Sequence, residues 1–218
     1  MPSLPPFRMS PFFRTRPWGF QDLAPWFDYK TAGEPIGEVW LTGEECVAET
    51  GPLAGQTLKQ IIKENGPHML GPGHKHDEFP LLIKILFPKE KLSVQVHPDD
   101  ALAVRYGEPR GKTECWYALD AEPGAFVSLG LKPGSTEEDI RAAIADETLE
   151  ELLVTVPVHK GDMIFVDAGT VHAIGPGAVI LETQQSSDLT YRMYDYGRGR
   201  DLHLQKSFEA MRVKTAAG

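Results

Sequence analysis

The chain has 218 residues, 41% apolar and 24% charged, with 22 basic against 31 acidic side chains and a formal charge of −9. That length predicts one large domain or two small ones, with enough core to fold without a disulfide or structural metal. The acidic balance, with no dense cluster of Lys and Arg, argues against a nucleic-acid or anionic-membrane partner. Cys46 and Cys115 form no CxxC pair, which points to a reducing cytoplasm and excludes a four-cysteine zinc site.

The first nineteen residues hold five prolines and no apolar stretch of the length a secretory signal or membrane span needs. Phe7, Phe12, Phe13 and Trp18 alternate there with proline, which predicts an arm over about residues 1–20 docked against the domain. Leu58, Ile61 and Ile62 lie at helical spacing in Gln56–Asn65, with a stop expected at Gly66-Pro67. The period-two or short apolar runs Leu81–Phe87, Leu92–Val96, Cys115–Leu119, Ala125–Leu129, Met163–Val166 and Val179–Leu181 predict strands. A short turn is expected from Pro98-Asp99-Asp100. A second helix is expected over Ser135–Asp146, opened by the capping box Ser135-x-x-Glu138, and Leu204–Val213 also reads as helical. The strands are parted by Gly- and Pro-containing turns and lack βαβ spacing. The expected architecture is therefore mainly β, an antiparallel barrel or sandwich with peripheral helices, in a single domain over residues 1–218.

In Leu92-Ser93-Val94-Gln95-Val96-His97, strand alternation sends Leu92, Val94 and Val96 to one face and Ser93, Gln95 and His97 to the other. An amide oxygen beside an imidazole can seed a metal site, or the pair can simply satisfy buried hydrogen bonds. Gly161, Gly169 and His172 match the spacing of the second motif of the cupin superfamily, G-x5-P-x-G-x2-H-x3-N, with Asp167 at the usual Pro and Pro176 at the usual Asn. This resemblance implies a small jelly-roll β barrel with His172 as a metal ligand. Between the two segments, alternation puts Glu114 on the side of Trp116; with Gln95, His97 and His172 it would complete a four-ligand site able to act as a Lewis acid. His68, His74 and His76 fall in the Gly- and Pro-rich stretch 66–80, expected to form a polar lid rather than a second metal site.

Longer segments carry a closer resemblance: Pro80–Leu86, Leu92–Pro98, Gly111–Tyr117, Gly169–Ile174 and Glu182–Arg198 look like class I mannose-6-phosphate isomerases, in that family's order, over about residues 11–206. The resemblance implies an aldose–ketose isomerase interconverting mannose 6-phosphate and fructose 6-phosphate, with one zinc ion per chain on Gln95, His97, Glu114 and His172. It implies Arg192 as a catalytic arginine and Lys84 and Ser93 as residues on the phosphate side. Such a reaction passes through an enediolate and needs a stabilised oxyanion and a proton carrier. Lys112 and Glu182 are the candidates for the carrier, and each could equally be a structural ion-pair partner. Lys112 or Arg198 could add charge toward the phosphate. Lys84 interrupts an apolar run, an expensive place for an ammonium without an anionic partner, unless it sits at a solvated edge.

The sequence reads as a short bacterial form, without the helical insertion of long members and without a C-terminal second β domain. A partner subunit could supply the missing wall, and a homodimer is left open. Two other readings remain: a cupin oxygenase with His97, His172 and Glu114 around iron, and a sugar-phosphate-sensing module without catalysis.

Overall fold

The computed structural model describes residues 4–73 and 78–218. His74 and His76 of the expected lid lie outside the described residues. Among the described residues, eleven strands follow in chain order: β1 Phe12–Phe20, β2 Ile36–Trp40, β3 Leu81–Leu86, β4 Val94–Val96, β5 Glu114–Ala121, β6 Phe126–Leu131, β7 Leu153–Pro157, β8 Met163–Val166, β9 His172–Ile174, β10 Ala178–Gln185 and β11 Tyr191–Tyr194. Four α-helices accompany them: α1 Leu58–Leu70, α2 Asp100–Arg105, α3 Glu137–Ala145 and α4 Leu204–Ala210. The strands build a six-stranded sheet in the order β1-β2-β3-β10-β5-β8 and a five-stranded sheet in the order β11-β4-β9-β6-β7. Neighbouring strands are antiparallel throughout.

The two sheets meet over one apolar core. Leu86, Trp116, Ala118, Ile164, Val166 and Ile180 of the larger sheet pack on Val127, Leu129 and Ile174 of the smaller one. The other face of the smaller sheet, with Val94, Val96, Ala173, Tyr191 and Met193, is covered by Leu102 of α2, Ile140 of α3 and Ala210 of α4. Leu23, Phe27 and Phe20 cover Ile85, Phe87 and Leu181 on the outside of the larger sheet. Each large side chain so removed from water stabilises the fold by roughly 1.5–3 kcal/mol.

Three expectations change in detail. The stretch expected as a docked arm contributes a strand: Phe12–Phe20 pairs with Ile36–Trp40, with register shifts after Arg14 and Thr15. Its Pro17 is tolerated because β1 is an edge strand, where a missing N–H faces no neighbour. Helix α1 does not stop at Gly66-Pro67 but carries Pro67 inside its last turn and ends at Gly71, whose φ of +77° suits glycine. The cap of α3 is Thr136 with Asp139, one residue beyond the expected Ser135 and Glu138; Ser135 Oγ instead donates to the Lys132 carbonyl. Leu92 also leaves the expected alternation: it precedes β4 and joins the core between the sheets, whereas Val94 and Val96 face the helices.

Candidate active site

The two sheets bring polar side chains together at one end of the sandwich. On the smaller sheet, β4 and β9 pair with Gln95 directly opposite His172, and β11 places Arg192 opposite Gln95 on the other side. On the larger sheet, Glu114 begins β5 and alternates inward with Trp116. His97 follows β4, its carbonyl held by the N–H of Gly169 at 2.9 Å. Gly111 lets the segment before β5 pass so close to Pro98 and Asp99 that an added Cβ would collide with their backbone. That passage sets the positions of Lys112 and Glu114.

His97, Glu114 and His172 are each 2% exposed or less, with one potential ligand atom apiece within 4.8 Å of the others. His172 Nε2 lies 3.3 Å from Glu114 Oε1, and His97 Nε2 lies 3.6 Å from Glu114 Oε2. Nε2 of His97 is buried without a hydrogen-bond partner, and Oε2 of Glu114 meets only the Lys112 ammonium. Buried polar atoms in that state are rare unless something binds them, and two imidazoles with a carboxylate are suitable donors for a divalent metal. Burial, reinforced by the nearby Lys112 charge, holds His97 well below its usual pKa, and burial brings His172 down to about 4. Both imidazoles are therefore neutral, as ligands must be. Gln95 adjoins the cluster with its amide nitrogen 3.2 Å from His172 Nε2, while its oxygen accepts from Ser93 Oγ. Rotation of the amide exchanges the two atoms.

A row of buried, alternating charges runs from this cluster across the inner face of the larger sheet. Lys112 Nζ lies 3.2 Å from Glu114 Oε2 and 3.5 Å from Glu182 Oε1. Lys84 Nζ lies 3.5 Å from Glu182 and 3.9 Å from Glu38. Arg16 ends the row, gripping Glu38 through Nε at 2.8 Å and Nη2 at 3.1 Å. The register explains it, since Glu182 pairs with Lys84 on one side and Trp116 on the other, so their side chains share a face. Burial raises Glu182 to about 7, helped by Glu114 and opposed by the two lysines. For Lys112, burial acts downward but Glu114 and Glu182 outweigh it, so the ammonium is held more firmly than usual.

These groups open on a cavity of about 470 Å³ lined by six cationic side chains, Arg14, Arg16, Lys84, Lys112, Arg192 and Arg200, and four acidic ones, Glu38, Glu114, Glu182 and Asp188. An excess of positive charge in a chain of formal charge −9 suits an anionic ligand. Of the residues expected from sequence, Lys84, Ser93, Gln95, Lys112, Glu114, Glu182 and Arg192 line the cavity, and His97 and His172 stand behind Glu114. Lys84 is no solvated edge residue: it is 3% exposed between two carboxylates. Arg198 is not in the lining; it donates to the Lys91 carbonyl and pairs with Asp195 and Glu90. Arg14, Arg16, Glu38, Asp188 and Arg200 were not anticipated. The alternation Phe13-Arg14-Thr15-Arg16 is the strand signal that could have exposed the first two.

The family model for the catalytic domain of type I phosphomannose isomerase matches residues 7–128. Mannose-6-phosphate isomerase ManA of Bacillus subtilis is 41% identical over 219 residues, 95% of this chain and 68% of that protein. The mannose-6-phosphate isomerase of Streptococcus mutans is 41% identical over 206 residues, 90% of this chain and 64% of its own length. The crystal structure of the B. subtilis mannose 6-phosphate isomerase superposes with a TM-score of 0.89 at 37% identity, covering 98% of this chain and 70% of that one. The chain thus spans about two thirds of the length of the relatives it matches.

Proposed function

The chain belongs to the type I phosphomannose isomerase family, and from that premise we propose that it interconverts mannose 6-phosphate and fructose 6-phosphate. The observation that carries this reading is the juxtaposition of Glu182, held 3.5 Å from each of two buried ammonium groups, with the His97–Glu114–His172 cluster in one cationic cavity.

Aldose–ketose isomerisation takes a proton from one carbon of the substrate and returns it to the next, while negative charge gathers on the adjoining oxygens. A divalent metal held by His97, Glu114, His172 and Gln95, zinc by the character of those donors, would supply Lewis-acid charge to those oxygens. Glu182 is the proton carrier in this reading: burial brings it near neutrality, where a carboxyl group can both accept and return a proton. Lys112 stays an ammonium and donates hydrogen bonds to developing negative charge, rather than acting as a base. Lys84, flanked by Glu38 and Glu182, keeps the Glu182 carboxylate in place, and Ser93 orients the Gln95 amide. Arg192, across from Gln95, brings a guanidinium to the reacting end of the sugar.

The reading places the enzyme in the cytoplasm with a small sugar phosphate as its partner. Cys46 and Cys115 are unpaired, which suits a reducing compartment, and no helix among the described residues is long and apolar enough to cross a membrane. A coupled assay with mannose 6-phosphate on zinc-loaded protein tests the activity. Formation of fructose 6-phosphate is expected, and its absence from folded, metal-replete protein would overturn the proposal.

A further inference from the structure

The cavity has two chemically different ends. At its inner end Lys84, Lys112, Glu114 and Glu182 are each 3% exposed or less, and every cation there already faces a carboxylate. At its outer end stand Arg16, Arg192 and Arg200, all half-buried and all in the lining. Two of these three are braced from behind. Glu38, 6% exposed, holds Arg16 by Nε and Nη2. Asp195, 3% exposed, holds Arg200 in the same fashion, with Nε 2.7 Å from Oδ2 and Nη2 on Oδ1.

A guanidinium has five N–H donors in a rigid plane. Bracing through the Nε edge consumes two of them and fixes the plane, so that the remaining donors of Arg16 and Arg200 are aimed before any ligand arrives. One of those of Arg16 goes to the Thr15 carbonyl at 3.2 Å, whereas Nη1 of Arg200 has no hydrogen-bond partner among the described residues. Arg192, the third of them, has its Nη1 on the Asp201 carbonyl and its buried Nε unpartnered. Burial first, then Arg200 and more weakly Arg16, make the Arg192 charge harder to hold, with Asp195 and Asp201 opposing them. Three guanidinium groups sharing one wall repel one another unless an anion comes between them. A doubly charged phosphate is costly to bury completely, and a half-exposed rim of forked donors is where it loses least hydration.

We propose that Arg16 and Arg200 seat the phosphate dianion of the substrate and thereby select phosphorylated sugars over free ones. This rests on the isomerase reading, which it deepens by moving the phosphate from Lys84, Ser93 and Arg198 to the braced arginines at the rim. The buried, doubly paired Lys84 belongs to the reacting end, and Arg198 is committed to the Lys91 carbonyl.

The test uses the full chain loaded with metal and measures kcat and KM for mannose 6-phosphate with the competitive inhibition constant of inorganic phosphate. In Arg200→Gln and Arg16→Gln, both KM and the inhibition constant should rise about ten- to hundredfold, the weight of a charge-assisted hydrogen bond, while kcat stays within about threefold. Arg200→Lys keeps the charge without the fork and should fall between wild type and Arg200→Gln. Arg105→Gln, on the exposed side of α2, should match wild type. If either arginine variant fails to fold, Arg16→Lys and Arg200→Lys, which leave Glu38 and Asp195 a cationic partner, take its place, and KM and the inhibition constant should still rise. Folded variants with unchanged KM and inhibition constant, or an effect confined to kcat, would overturn the proposal, as would a rise in KM for Arg198→Gln alone. Should the wild type show no isomerase activity, titration calorimetry with inorganic phosphate reads the seat by itself. Phosphate binding that Arg200→Gln weakens would then uphold the seat while the isomerase reading falls, and no binding to wild type would end both.

Discussion

His172 donates its Nδ1–H to the carbonyl oxygen of Thr170 at 2.9 Å, two residues earlier in the chain. That bond selects the tautomer, so Nε2 keeps its lone pair and presents it toward Glu114 and Gln95. The segment before His172 turns at Gly169, whose φ of +91° suits glycine. His172→Ala removes a donor that was already oriented and should lower metal affinity by at least about a hundredfold. Metal content after gel filtration against a weak chelator measures this, and full retention of metal would count against His172 as a ligand.

Glu182→Gln keeps the shape of the side chain between Lys84 and Lys112 but removes its capacity to carry a proton. If Glu182 is the proton carrier, kcat should fall by roughly 10²–10⁴ with metal content unchanged. The same variant should lose the exchange of substrate hydrogen with deuterated solvent, which nuclear magnetic resonance follows directly. Exchange at the wild-type rate would move the proton-transfer role elsewhere in the cavity.

The legible parts of the site were those whose chemistry is written in short local strings. Gln95-x-His97, Glu114 two residues from Trp116 and Gly169-x-x-His172 carry alternation and turn signals that make each a candidate, while their assembly into one ligand set is what the family resemblance implies. Arg16 and Glu38 were not legible, because their partnership forms across two strands with register shifts between them, and a shifted register has no sequence period. The prolines of the N-terminal segment also mask the strand, because they interrupt its period-two pattern. Arg198 and Arg200 illustrate a finer limit. They differ by two residues in a loop where Tyr196, Gly197 and Gly199 all have positive φ, and only the backbone path determines which guanidinium faces the cavity.

Glu38 should make part of the stability depend on pH. Burial favours its neutral form, but the charges of Lys84 and Arg16 and hydrogen bonds from Arg16 and Trp40 prevail, and its pKa falls from 4.5 to about 2. Because the folded value lies below the unfolded one, its contribution is complete above pH 4.5 and is lost as pH falls through 2. The shift corresponds to about 3 kcal/mol. In denaturant melts Glu38→Gln should therefore be less stable than wild type by about that amount at pH 7, with the gap narrowed to less than half at pH 3. A gap independent of pH would mean that packing, not charge, is what Glu38 contributes.

Arg192 separates two kinds of arginine in one cavity. Its register neighbour is Gln95, beside the metal cluster, and its Nη1 is held by the Asp201 carbonyl at 2.7 Å rather than by a carboxylate. No carboxylate braces this guanidinium through a hydrogen bond, so its remaining donors are available to an oxyanion that gathers charge only as the reaction proceeds. Such an interaction is stronger in the transition state than in the bound substrate. Arg192→Ala should then lower kcat by about 10²–10³, the loss seen when one preorganised oxyanion donor is removed, while metal content and KM change little. Arg16 and Arg200 should show the opposite division, with the loss in KM. If Arg192→Ala raises KM and spares kcat, its guanidinium binds the phosphate as firmly before the reaction as during it, and Arg192 joins the other two in the seat.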